Sequence, residues 1–77
     1  MTELEQMKLD MTKNLTTLLM NDDPSLTMEQ ALSLVLNSNT YQKLQSGATK
    51  FYYQSPRYVY AFLDSELKKK IHDLNPE

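Results

Sequence analysis

Apolar residues return along this chain every third or fourth position, the spacing of one helix face. Leu4, Met7, Met11, Leu15 and Leu18 form the first such stripe, with Leu9 and Met20 off it. Thr2 and Glu5 stand where a capping box would start it, hydroxyl and carboxylate each answering a free backbone N–H. Asn21-Asp22-Asp23-Pro24 ends it, because these residues favour turns and the residue before a proline avoids helical angles. The pattern predicts a first helix over 2–21.

A second capping box, Thr27 with Gln30, opens a helix over 27–37. Met28, Ala31, Leu32 and Val35 make its stripe, and Leu34 and Leu36 widen it. A helix this apolar is expected to be buried on more than one side. Asn37-Ser38-Asn39 interrupts it; Ser38 or Asn39 can cap a short third helix over 39–46 carrying Tyr41 and Leu44, which Gly47 would terminate.

The period fails over 48–54, ATKFYYQ. Phe, Tyr and Thr favour extended backbone, so a short strand is one reading. A lone strand would lack a partner within the chain, which favours a single tight turn. Ser55-Pro56 then reads as an N-cap followed by proline at the first helical position. The fourth helix is expected over 55–73, closed by Asn75-Pro76. Val59, Leu63, Leu67, Ile71 and Leu74 form its continuous stripe, with Tyr60 at the edge; Tyr58, Ala61 and Phe62 form a second apolar patch. Asp64 with Lys68, and Glu66 with Lys70, are favourable four-residue pairs. The fold class is all-α: a single-domain bundle of about four helices spanning 1–77.

Composition limits what such a bundle can do. A chain of 77 residues buries only about 60% of its unfolded surface. With no Cys and a single His, His72, it has neither disulfides nor the ligands of a structural zinc site. The absence of Cys fits a cytoplasmic setting. The longest apolar run, 58–63, is six residues, against about 20 for a membrane span. One Gly cannot build a phosphate loop. Asp22-Asp23 reads as a solvated turn, His72 as an exposed helix end and Lys68-Lys69-Lys70 as a solvated run. No catalytic constellation, metal site or cofactor site emerges, and the expectation is a protein that is not an enzyme.

Six of the seven aromatic residues lie within FYYQSPRYVYAF, 51–62. Core packing is one use for them, since each buries a large area. An interface is another, because Tyr and Arg are enriched in interface centres and the only Arg, Arg57, stands beside Tyr58. Tyr52, Tyr53, Arg57, Tyr58 and Phe62 are the candidate partner-binding residues, for a protein partner or a second copy. Base stacking is disfavoured: net charge is −2, and only Lys50 and Arg57 flank the cluster.

A rival reading takes 27–46 as a helix-turn-helix that binds DNA, with Thr40, Gln42, Lys43 and Gln45 outward. Its weakness is charge. Residues 1–38 carry six acids and two lysines, net −4, which leaves few phosphate contacts.

NSNTYQKL, a short connector and YYQSPRYVYAFLDSEL together resemble small bacterial all-helical proteins of uncharacterised function, over roughly 27–67. The resemblance implies a short helix, an aromatic-Gln-Ser connector and a terminal amphipathic helix. Some proteins of this kind are encoded beside toxin-like genes, which implies a binding or neutralising role.

Overall fold

A computed structural model describes residues 2–46 and 50–74, with side chains described as far as Lys69. Four α-helices follow in order: α1 (Glu3–Asp22), α2 (Met28–Leu36), α3 (Asn39–Ser46) and α4 (Pro56–Leu74). A single 3-10 turn, Phe51–Tyr53, stands before α4. The chain is a small all-α bundle, as the periodicity predicts. The aromatic connector is a turn over 51–53 and not a strand; residues 47–49 lie outside the described residues. A turn suits a segment with no neighbouring strand to satisfy its backbone groups.

Of the two expected capping boxes, the one at Thr27 is complete, while at Thr2 only the hydroxyl caps the backbone. Thr2 Oγ1 accepts the Glu5 N–H at 3.1 Å, and the reciprocal Thr27–Gln30 box closes at 3.1 and 2.9 Å. Ser38 Oγ accepts the Tyr41 N–H at 3.0 Å, and Ser55 Oγ the Tyr58 N–H at 3.2 Å, so Ser38 and Ser55 cap α3 and α4.

Helix α1 is the hub, with α2 and α4 both packed on it and α3 lodged chiefly against α4. Among the described residues the fully buried apolar side chains are Leu15, Ala31, Val35, Leu44, Val59 and Leu63. The face of α1 that is buried runs through Met11, Thr12, Leu15, Thr16 and Leu19, displaced from the expected stripe. Leu4 is exposed, and Met7 and Leu18 are only half-buried. Thr12 and Thr16 enter the core because each hydroxyl donates to the carbonyl four residues back, at 2.9 Å, and needs no other partner.

Helix α2 corrects a second expectation. Only Ala31 and Val35 are buried, while Met28, Leu32, Leu34 and Leu36 are exposed. Its main support is α1, so one narrow face suffices and the other apolar positions meet solvent.

Two charged side chains hold α3 in place. The Glu66 carboxylate of α4 accepts the Asn39 and Thr40 N–H groups at 2.6 and 2.9 Å and the Thr40 hydroxyl at 2.9 Å. At the other end, Lys8 of α1 donates to the Gln45 carbonyl at 2.9 Å. Anion at the N-terminus and cation at the C-terminus both oppose the helix dipole.

Candidate aromatic docking surface

The helix repeat turns each residue about 100° from the last, so α4 presents distinct faces. Val59, Tyr60 and Leu63 point into the bundle. Tyr58 and Phe62, four residues apart, share the opposite side and are 50% and 42% exposed. Their rings meet edge to face with centroids 5.4 Å apart. Phe62 also leans on Phe51, centroids 5.2 Å apart, and Phe51 is buried. The exposed pair therefore rests on a fixed ring and is held in place before any partner arrives.

The 3-10 turn carries a second pair. Tyr52 and Tyr53 have ring centroids 4.8 Å apart. Tyr52 is half-buried, with the Lys8 ammonium 6.0 Å from its ring centre, at the limit of a cation–π contact. Tyr53 is the most exposed aromatic, at 69%. No ring contact among the described residues joins this pair to Tyr58 and Phe62. The turn's backbone brings them near each other through Phe51.

Arg57 stands apart. It lies about 100° round the helix from Tyr58 and lines a shallow recess with Asn14, Thr17, Leu18, Ser55 and Pro56. Of the five candidate residues, Tyr58 and Phe62 form one contact pair, Tyr52 and Tyr53 another, and Arg57 flanks α1.

Tyr60 goes to the core. Its hydroxyl donates to Asp22 Oδ2 at 2.6 Å, tying the first helical turns of α4 to the end of α1. Burial, and then the bond to a carboxylate, push its phenol well above the ordinary tyrosine range. Sequence position put Tyr60 at the edge of the stripe; the hydrogen bond explains why a polar tip is tolerated further in.

The helical pair α2–α3 has the outline of the rival DNA-binding unit, but its surface differs from the expected one. Gln42, Lys43 and Gln45 are exposed, whereas Thr40 is buried beneath Glu66. The α3 N-terminus, the end that a recognition helix turns toward base edges, is occupied by that carboxylate.

Among the described residues, no group of three His, Cys, Asp or Glu side chains comes together. No described helix is long and apolar enough to cross a membrane. The His72 side chain lies outside the described residues. Comparison with protein-family models, curated proteins and solved structures finds no match.

Proposed function

We propose that this protein is a small, non-enzymatic interaction module of the bacterial cytoplasm, which docks a protein partner through the aromatic surface beside α4. The observation that carries this reading is the exposed Tyr58–Phe62 pair, braced from below by buried Phe51. Leaving large rings in water is unfavourable by about 25 cal/mol for each Å² of apolar area. A partner that covers them recovers that energy and loses little side-chain freedom, because the rings are already ordered. Tyr53, exposed on the neighbouring turn, extends the surface, while Arg57 stands apart against α1.

The DNA-binding alternative is weakened by Glu66 at the α3 N-terminus, where a carboxylate would repel phosphate.

The test is parallel affinity capture from nuclease-treated host lysate with the wild-type chain and a Tyr58→Ala/Phe62→Ala double variant. A stoichiometric protein held by the wild type and lost by the folded variant supports docking. Equal capture by both would remove the aromatic surface from the mechanism.

A further inference from the structure

The aromatic pair is the start of a longer line. Tyr58, Phe62, Ser65 and Lys69 follow one another at steps of four, three and four, and all are exposed. That spacing is the seam along which two helices meet. Helices α1 and α3 meet α4 on the side of Val59, Leu63 and Glu66, and Phe51 packs against one side of Phe62, which leaves the rest of the seam exposed. Both described acids of α4 are engaged. Asp64 pairs with Lys68 at 3.0 Å, and Glu66 serves the α3 N-terminus. Lys69 makes no ion pair with a described residue.

Resting on the docking reading above, we propose that the partner is a second copy of this chain, paired antiparallel through this seam of α4. The seam is complementary to itself in one direction only. Run antiparallel, Phe62 meets the partner's Ser65, so the largest side chain faces the smallest. Tyr58 meets the partner's Lys69, so an ammonium sits over an aromatic ring, a favourable contact. Run parallel, Phe62 would meet the partner's Phe62, and Lys69 the partner's Lys69. The first pair would hold the backbones apart and the second would repel. Charge and volume therefore select the same orientation, and the pair closes on a two-fold axis, the commonest symmetry of dimers.

The pairing is modest in size. The seam is roughly 16 Å long. A standard interface covers about 800 Å² per partner, a sizeable share of this chain's 5460 Å² surface. A single helix seam falls short of that, so the dimer forms reversibly in the micromolar range or above.

Sedimentation of the full chain from roughly 10 μM to 1 mM tests this. The average mass should climb from 9.0 kDa toward twice that value. Ser65 is exposed, so Ser65→Lys leaves the monomer intact while blocking Phe62 and adding charge, and association should weaken at least tenfold. The chain has no Cys, so single-cysteine variants report direction. Tyr58→Cys mixed with Lys69→Cys should oxidise mainly to the mixed disulfide. A constant 9.0 kDa mass, wild-type association by Ser65→Lys, or a predominance of same-site disulfides overturns the proposal. These failures are separable from failure of the docking reading itself. If Tyr58→Ala and Phe62→Ala each unfold the monomer, the aromatic pair is core and both proposals fall. If they stay folded and the wild type stays monomeric, only the second copy is excluded.

Discussion

The two faces of α4 are built from similar residues and put to opposite uses. Val59, Tyr60 and Leu63 are sealed against α1, while Tyr58 and Phe62, one position away in sequence, stand in solvent. Hydrophobicity alone does not separate them, because Tyr58 and Phe62 are as apolar as the residues buried beside them. What separates them is where neighbouring helices happen to lie. Helix α1 covers one side and α3, latched by Glu66, covers its flank. Helix α2 is packed chiefly on α1, and the described residues supply no fifth helix for the rest. The difference teaches that in a small bundle the apolar residues left over are set by the supply of elements, and the leftover face is where function has room.

The sharpest way to break this comparison is to truncate both faces. Leu63 is fully buried at the centre of the bundle. Leu63→Ala should cost about 2–5 kcal/mol, the range for a buried leucine. That is a large fraction of what a small domain has, so thermal melting should be lost or shifted steeply downward. Phe62→Ala removes an exposed ring and its contact with Phe51. It should cost about 1 kcal/mol, in line with one aromatic pair. Equal losses at the two positions would mean that Phe62 is core and that the surface described here is not free.

Next in size is the flank between the faces. Glu66 joins α4 to α3 through three hydrogen bonds. Glu66→Gln keeps the length, leaves an amide in place of the charge and should cost about 1–2 kcal/mol, as expected when charge-assisted bonds at a helix N-terminus are weakened. The loss should appear first as faster amide exchange in α3, with α1 and the inner face of α4 less affected. Uniform loss across the chain would show that α3 is inseparable from the core.

How much of this was legible in sequence follows from the same contrast. Helix existence and ends came through because they are local: the N-cap at Thr2, the capping box at Thr27 and the Ser55-Pro56 start act within four residues. Burial did not come through where it depends on neighbours. The apolar richness of α2 suggested a doubly buried helix, yet only α1 gives it a large contact, and Met28 is 66% exposed. Thr12 and Thr16 looked polar, yet they satisfy themselves and enter the core. The candidate patch was legible as composition, while its division was not. Nothing local says that Tyr60 would turn to Asp22 and Tyr58 to Phe62. Ser65 leaves no mark on a hydrophobic stripe and Lys69 reads as part of a solvated run, although their spacing from Phe62 is present in the chain.

On the inner face, Tyr60 offers a test in pH. Its phenol is raised by burial and then by Asp22, so the folded state holds this proton more tightly than the unfolded chain does. The resulting stability is complete below the unfolded phenol value of about 10 and is lost as pH rises past it, by up to about 1.4 kcal/mol per unit. Tyr60→Phe should lose about 1 kcal/mol near neutrality, one hydrogen bond's worth. It should also show a shallower alkaline decline than the wild type when melting is followed from neutral pH upward. Parallel alkaline curves for Tyr60→Phe and the wild type would show that the bond to Asp22 carries no stability.

The smallest effect concerns what holds the outer face steady. Lys50 precedes the turn with φ 54° and ψ 33°, a left-handed conformation that a residue with a Cβ adopts at a cost. The turn it opens places Phe51 beneath Phe62. Glycine takes that conformation without the steric penalty but is freer in the unfolded chain. The two effects oppose each other, so Lys50→Gly should change stability by less than about 1 kcal/mol, with the balance toward a gain. The turn would keep its shape, and the Phe51–Phe62 contact with it. If Lys50→Gly instead loosened that contact, seen as altered ring shifts of Phe62 in the folded protein, the lysine side chain would be positioning the aromatic surface. The outer face would then depend on a specific cation and not only on the backbone that presents it.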